Sequence, residues 1–249
     1  HRLCGDTFVL HRGEVSFGAD AKPGQIHAQS VIDARYPQYR EWIARHFAED
    51  PARPMRANAD LARLAASPRP RLLFVTHQWG GGTEKHVQDL ARLVEDSAEV
   101  LVLRPHGRSQ LSLQWLRGQG AKSEPLSLHF DLPDDEEMLR ALLASLSLAR
   151  LHVHHVHQQP AWILTLASDL RVPLDVTLHD YFPITPQYHL SPGAELPGDD
   201  VPNHWGLSLK AWRAAMLKLL AGAERVICPS QDLRDRVAPF LPDVNLQVW

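Results

Sequence analysis

The sequence predicts an α/β protein in which a parallel sheet is covered by helices on both faces and is preceded by a short appendage. Two observations lead to this prediction. From about residue 69 onward, short apolar runs of strand length alternate with segments whose apolar residues recur at helical spacing. The apolar runs are also continuous, as expected for strands that are buried on both sides of a sheet.

The first strand and helix of this pattern are the clearest. Residues 72–76 form an apolar run, and the segment 83–95 carries its apolar residues on one helical face. Two segments that alternate with period two, residues 111–115 and 126–130, should form a hairpin or two edge strands. Further strands are expected at residues 100–103, 151–156, 174–178 and 225–228, and further helices after Pro160 and at residues 134–146, 209–221 and 231–237.

A cluster of prolines divides the chain into two parts. Proline fixes one backbone torsion and removes a hydrogen-bond donor, so such a cluster marks the end of one unit and the start of another. The prolines are Pro51, Pro54, Pro68 and Pro70. We therefore predict an N-terminal appendage with a proline-rich linker over residues 1–68, and a Rossmann-like domain over residues 69–249.

Both ends of the chain carry a further expectation. The appendage should contain an amphipathic helix around residues 28–48. The chain starts at His1 instead of a methionine, and residues 244–249 have the pattern of another strand. We therefore expect a fragment of a longer protein.

Composition and charge exclude several classes of protein. Hydrophobic residues make up 44% and charged residues 22%, which disfavours both disorder and a membrane protein. The formal charge is −3 and the basic residues are scattered, so a nucleic-acid partner is not expected. Cys4 and Cys228 lack the spacing of a disulfide framework or a thiolate metal site, which fits a reducing cytoplasm.

A glycine-rich loop joins the first predicted strand to its helix. Consecutive glycines let the backbone approach an anion, and the following helix start offers unpaired N–H groups, so residues 77–86 could bind a phosphate. A dinucleotide fingerprint would need glycine where Lys85 stands and an acid where Arg104 stands, which disfavours an NAD-dependent enzyme. From these residues alone, a tight turn without a ligand remains equally open.

Four motifs in order give the chain a specific resemblance. They are LLFVTHQWGGGTEKHVQDLA at residues 72–91, LHVHHV at 151–156, VTLHDY at 176–181 with Pro186 and Gln187 after it, and RVICPS at 225–230. This series resembles the first half of family 4 glycosyltransferases of the GT-B fold. The resemblance extends from about residue 69 to residue 249.

The resemblance implies roles for particular residues. His179, which also follows a predicted strand where open sheets bind ligands, matches the family's active-site histidine. The alternative is a histidine at a strand end whose ring is hydrogen-bonded to backbone groups and binds no ligand. The loop residues Gly80, Gly81, Gly82 and Thr83 would lie under the donor diphosphate, and Trp79, His86, Asp180 and Tyr181 would line the acceptor cleft.

The resemblance also implies a reaction. Such enzymes transfer a sugar from a nucleotide-sugar to a saccharide or lipid-linked saccharide with retained anomeric configuration, and they need neither a cofactor nor a metal. The nucleotide-sugar would be held mainly by a second domain that this chain lacks. A role in making cell-surface polysaccharide follows, and the full-length protein could associate peripherally with a membrane.

A run of histidines suggests a metal site, but its geometry argues against one. In a strand, His152 and His154 would lie on one face and His155 and His157 on the other, so the four cannot converge on one ion. We therefore expect no metal site here. A non-catalytic nucleotide- or metal-binding module is the alternative to an enzyme.

The N-terminal segment carries a shorter resemblance of its own. The sequence GDTFVLHRGEVSFG at residues 5–18 resembles the closing segment of a family 2 glycosyltransferase of the GT-A fold. His11 would match the histidine that helps such enzymes bind their donor and metal. An appendage packed on the main domain is the alternative.

Overall fold

The computed structural model describes most of the chain. It covers residues 21–116, 126–187 and 203–249. The chain divides into two compact units, His1–Asp60 and Leu61–Trp249. The domain boundary after residue 68 stays a prediction, and the resemblance of residues 5–18, with His11, lies outside the described residues.

Helices make up the described part of the first unit. Helix α1 covers Ala21–Arg35 and helix α2 covers Tyr39–Glu49, where the sequence analysis expected one helix around residues 28–48. The expectation of a single helix is wrong. The break falls at Pro37, because proline lacks the N–H of an interior helical residue and biases its predecessor toward extended backbone.

The stretch that was expected to be a linker contains a third helix, α3, at Arg53–Ala66. Pro54 is its second residue, and in the first turn of a helix the missing N–H has no partner to lose. Near the end of α3, Leu64 is fully buried. The Arg71 guanidinium donates to the carbonyl oxygens of Leu64 and Ala65, each at 2.9 Å. These carbonyl groups in the last turn of α3 have no partner within the helix, so Arg71 supplies their hydrogen bonds.

An eight-stranded sheet forms the centre of the second unit. Its strands are β1 Arg71–Val75, β2 Glu99–His106, β3 Gln110–Leu116, β4 Ser127–Asp131, β5 Leu148–Val153, β6 Leu174–Thr177, β7 Arg225–Cys228 and β8 Leu246–Val248. The helices are α4 Gly81–Val94, α5 Glu136–Ser145, α6 Leu166–Leu170, α7 Leu209–Ala221 and α8 Gln231–Val237, with short 3-10 helices at Ala161–Leu164 and Ala238–Phe240. The predicted α/β class is confirmed.

The order of the strands determines where a ligand can bind. Across the sheet they run β4-β3-β2-β1-β5-β6-β7-β8; at one edge β3 is antiparallel to β2, and β4 is antiparallel to β3. The two segments expected to form a hairpin or two edge strands are thus an antiparallel pair at this edge. Strand β1 pairs with both β2 and β5, so the direction of winding reverses there. In open α/β sheets the crevice outside the carboxyl ends of the strands at such a reversal is the usual ligand site.

Helix α4 holds this reversal point in place by apolar packing. Its buried residues Val87 and Ala91 pack on Phe74 of β1 and on Val100 and Val102 of β2. Fully burying a side chain of this size contributes about 1.5–3 kcal/mol. The start of α4 is therefore fixed against the carboxyl end of β1. Among the described residues, no helix is long and apolar enough to cross a membrane.

Candidate functional site at the carboxyl edge of the sheet

Three loops meet at the carboxyl edge beside the reversal point. They follow β1, β5 and β6, which are neighbours in the sheet and run parallel. The first contains the glycines, the second the histidine run and the third His179. The topology thus brings three motifs that are separate in the sequence to one edge of the sheet.

The glycine loop has a backbone that requires glycine. Gly80 has φ +75° and ψ −142°, and Gly81 has φ +74°, which are conformations that residues with a Cβ rarely adopt. Helix α4 begins at Gly81, so the N–H groups of its first turn have no partner inside the helix. Gly82 and the buried Thr83 belong to that first turn. This arrangement is suited to binding an anion.

We expect Gly80→Ala to destabilise the protein by about 1–3 kcal/mol, the usual range for a strained backbone position. The cause is the torsion alone, because a Cβ at Gly80 would meet no atom within 4 Å. Urea unfolding followed by circular dichroism measures the change. Gly82→Ala is the matched control, since Gly82 is helical and equally uncrowded, and it should leave stability unchanged or slightly raised. Equal losses in both variants would contradict this account.

Side-chain hydrogen bonds hold the loop between β1 and α4. The Gln78 amide nitrogen donates to the Gln158 side-chain oxygen at 2.9 Å, and its oxygen accepts from the N–H of Gly107 at 3.0 Å. These bonds tie the glycine loop to the turn after β2 and to the loop after β5. Trp79 is half exposed, and its ring centroid lies 3.9 Å from that of His157. Trp79 therefore lies partly at the surface, beside the loop after β5.

Arg104 stands where a dinucleotide-binding protein would carry an acid, and here it forms an ion pair with Glu84. Its guanidinium lies 2.9 Å from a carboxylate oxygen of Glu84, in the first turn of α4, and both side chains are largely buried. The pair joins the end of β2 to the start of α4. A ribose hydroxyl therefore finds no free carboxylate at this position, which supports the argument against an NAD site.

Gln159 binds the ends of two strands together, and the sequence analysis missed it. Its buried amide nitrogen donates to the carbonyl oxygen of Thr76 at 2.7 Å and lies 3.3 Å from that of Leu103. Its own backbone oxygen accepts from the Trp205 indole at 2.8 Å. The loop after β5 is thereby fixed to the ends of β1 and β2.

His179 lies at the centre of the edge. It is half buried, and its Nε2 atom lies 3.4 Å from Nδ1 of His154. Its ring centroid is 5.0 Å from that of His86 on α4. Burial, followed by the nearby His86 and His155, lowers the pKa of His179 from about 6.5 to about 3. The imidazole is therefore neutral at physiological pH.

Asp180 is held by two internal partners. The Nδ1 atom of His155 accepts from the N–H of His157 at 2.9 Å, so the proton of a neutral His155 ring is on Nε2. That Nε2 lies 3.2 Å from one Asp180 oxygen, and the other accepts from the N–H of Phe182 at 2.8 Å. Both carboxylate oxygens thus hold the loop in shape.

Tyr181 closes the same turn through its backbone. Its carbonyl oxygen accepts from the N–H groups of Ile184 and Thr185 at 2.9 and 3.0 Å. The side chain is half buried at the rim of the edge. The predicted acceptor residues Asp180 and Tyr181 therefore belong to one tight loop directly after His179.

The histidine run splits into two groups, as its spacing indicated. The rings of His152 and His154 stack with centroids 4.0 Å apart, whereas His155 and His157 pack against Phe182 at 4.3 and 5.7 Å. The strand ends at Val153, so only His152 keeps a place in the sheet. What the sequence did not show is that His154 comes close to His86 and His179, which lie far from it along the chain.

These features define a class: an α/β domain of the Rossmann-like type with a candidate ligand site at the carboxyl ends of its strands. The model for Glycosyltransferase Family 4 matches residues 80–249, more than half of the chain. The chain therefore belongs to glycosyltransferase family 4. The match does not include residues 5–18, so their resemblance to a family 2 enzyme stays a prediction.

Two further comparisons add no functional argument. The chain matches no curated protein. Among solved structures it is similar to a secreted C11 cysteine protease from Bacteroides thetaiotaomicron, iotapain, at 14% identity, with 73% of this chain and 52% of that chain covered and a TM-score of 0.32. The chain thus spans about half the length of that protein. A likeness this weak carries no conclusion about fold or activity.

Proposed function

We propose that this chain forms the acceptor-side half of a retaining glycosyltransferase. Its donor would be a nucleotide-sugar, and its acceptor a saccharide or a lipid-linked saccharide in the synthesis of cell-surface polysaccharide. One observation carries the proposal: in a chain of a glycosyltransferase family, the glycine loop and His179 lie on the same edge of the sheet, beside the reversal point. A following domain would hold most of the nucleotide-sugar.

The glycine loop is suited to the leaving group of this reaction. When the sugar is transferred, the bond between its anomeric carbon and the donor oxygen breaks, and the diphosphate leaves with the electron pair. The N–H groups at the start of α4, beyond Gly80 and Gly81, can stabilise that negative charge without rearranging. Neither a cofactor nor a metal is part of this proposal.

His179 would act as a hydrogen-bonding group and not as a charged acid. With a pKa of about 3, its imidazole stays neutral through the physiological range, so it can orient a sugar hydroxyl by accepting or donating one bond. Trp79 offers a flat apolar surface to the acceptor, and His86 borders the same space. Asp180 would act by holding the turn after His179.

The cellular setting follows from the same proposal. Donor nucleotide-sugars are expected in the cytoplasm, and Cys228 is a buried free thiol that would persist under reducing conditions. A lipid-linked acceptor would bring the full-length protein to a membrane surface from outside the bilayer. A nucleic acid is not among the proposed partners.

The test is a transfer assay on the longer protein in which we expect this chain to lie. We expect His179→Ala to lower kcat about 100-fold, the usual effect of removing one positioned hydrogen-bonding group. His179→Gln should restore part of the rate, because glutamine keeps a donor and an acceptor. His106→Ala, at the exposed last residue of β2, is the matched control.

The outcome decides between transfer and simple binding. An unchanged kcat in His179→Ala would overturn the role assigned to this residue. A protein that binds nucleotide-sugars but transfers no sugar to any saccharide acceptor would favour the alternative, a non-catalytic nucleotide- or metal-binding module. A loss of rate equal in His179→Ala and His106→Ala would point to a general loss of structure.

A further inference from the structure

Three histidines from separate segments converge at the carboxyl edge. His86 comes from α4, His154 from the loop after β5 and His179 from the loop after β6. One ring nitrogen from each lies within 4.8 Å of the other two. We propose that His86, His154 and His179 form a binding site for a divalent transition-metal ion of the zinc type.

The spacing of two of the ligands already fits such an ion. Imidazole nitrogens that share a tetrahedral zinc at 2.0–2.1 Å lie about 3.3 Å apart. Nδ1 of His154 and Nε2 of His179 are 3.4 Å apart, which is long for a hydrogen bond between them. His86 is half buried on the side of a helix, where a change of side-chain torsion can bring its nitrogen closer.

His154 is the most deeply buried of the three histidines. Its Nε2 has no hydrogen-bond partner among the described residues, and leaving a buried polar atom unpaired costs about 1–3 kcal/mol. An ion at Nε2 would remove that cost, whereas an ion at Nδ1, the nitrogen that lies near His179, would not. The spacing of the three rings, and not this unpaired atom, therefore supports the ion.

The neighbouring histidines are engaged elsewhere. Nε2 of His152 lies 2.8 Å from the Thr177 hydroxyl, and His155 contacts Asp180 at 3.2 Å. His157 packs its ring against Trp79. The ion would therefore bind the three converging rings. Of the run of residues 152–157, only His154 would be a ligand.

One side of the site borders a groove. His86 lines this groove, which has a volume of about 280 Å³ and lies beside α4. Three protein ligands and a fourth, open position are the arrangement in which zinc exchanges water for another molecule. The ion would also occupy the nitrogen of His179 that the proposed transfer reaction needs, so zinc should inhibit transfer. This last consequence rests on the proposed function, whereas the binding site does not.

Binding is tested by titrating the metal-free protein with Zn²⁺ in a calorimeter, and with Co²⁺ followed by its visible absorption. We expect one ion per chain and a tetrahedral Co²⁺ spectrum. His86→Ala and His179→Ala should each weaken Zn²⁺ binding at least 10-fold, because loss even of a residue that only supports a metal ligand typically costs this much. Circular dichroism and urea unfolding of each variant check that it is folded.

The control is the other close pair of histidines. His106 and His129 have ring centroids 4.5 Å apart on β2 and β4, at an exposed position. His106→Ala should leave the affinity unchanged. Loss of binding in His106→Ala with normal binding in His86→Ala would overturn the proposal, and so would the absence of binding at millimolar Zn²⁺.

A transfer assay with added Zn²⁺ separates this inference from the proposed function. Inhibition at the concentration that fills the site supports both. One bound ion that depends on His86 and His179, without any effect on transfer, supports the metal site and contradicts the role of His179 in transfer. Inhibition that persists with a variant that no longer binds Zn²⁺ shows that the ion acts at another site.

Discussion

Lowering the pH from 7 to 5 should strongly destabilise the protein. Burial, as the largest cause, lowers the pKa of His77, His152 and His157 from about 6.5 to about 4, and it holds the pKa of His154 well below 6.5. In the unfolded chain these groups take up protons near pH 6.5, whereas in the folded protein they stay neutral. Below pH 6.5 the unfolded state therefore binds more protons, and stability falls as the pH falls toward 4.

The effect is large because several groups act together. A histidine kept neutral on folding contributes up to about 1.4 kcal/mol per pH unit, so His152 and His154, the two most buried, contribute up to about 3 kcal/mol per unit. A domain has only about 5–15 kcal/mol of stability in total. Acid unfolding is therefore expected above pH 4.

Urea unfolding at a series of pH values, with a chelator present, measures this dependence. The free energy of unfolding should decrease steadily from pH 6.5 to pH 4.5. His152→Gln, which keeps a partner for Thr177, should reduce the slope by up to about 1.4 kcal/mol per pH unit. The exposed control His106→Ala should follow the wild-type curve. A flat profile between pH 7 and 5 would show that these histidines are solvated.

Replacing Trp212 should cause the largest loss of stability for a single side chain. Trp212 is fully buried on α7, and its indole donates to the carbonyl oxygen of Phe182 at 2.9 Å. Its ring also lies 4.8 Å from that of Phe182 and 4.9 Å from that of Trp205. Trp212→Ala should cost about 3–5 kcal/mol, because it removes the ring and leaves a cavity.

Two further variants identify the cause of that loss. Trp212→Phe keeps most of the ring and loses the hydrogen bond, so it should cost about 1–3 kcal/mol. Trp249→Ala removes a tryptophan that is 76% exposed and should change stability by less than about 0.5 kcal/mol. Urea unfolding followed by circular dichroism gives all three values. Equal losses for Trp212→Ala and Trp249→Ala would contradict the burial argument.

The sequence predicted the structure well where the structure depends on residues adjacent in the chain. The strands and helices of the second unit follow from local apolar periodicity, and the glycine loop from three adjacent glycines that include Gly80. The edge strands β3 and β4 were indicated by their period-two alternation. The pattern and the structure mostly span the same short stretch of chain, although β5 covers Leu148–Val153 and not the predicted residues 151–156.

Prediction from the sequence failed where a proline can either occupy the first turn of a helix or separate two helices. Pro54 was taken as the sign of a linker, but it occupies the first turn of α3, where proline is tolerated, whereas Pro37 does separate two helices. A proline's effect depends on its position in the helix. That position cannot be known before the start of the helix is known.

The contacts of the site were the least predictable. His86, His154 and His179 come together only because β1, β5 and β6 are neighbours, and this order is a property of the whole sheet. Gln159 gave no signal, because a glutamine that joins strand ends has no local pattern. The one useful indication was that His179 directly follows a predicted strand.

The ion pair between Arg104 and Glu84 has a consequence for any anion that approaches the glycine loop. Alone, the Glu84 carboxylate in the first turn of α4 would repel a phosphate at short and at long range. Paired with Arg104 at 2.9 Å, it presents a dipole, whose field decays faster with distance than that of a single charge. The start of α4 can then attract the anion with little opposition from Glu84. A variant without Arg104 should therefore bind diphosphate less well than a variant without both Arg104 and Glu84.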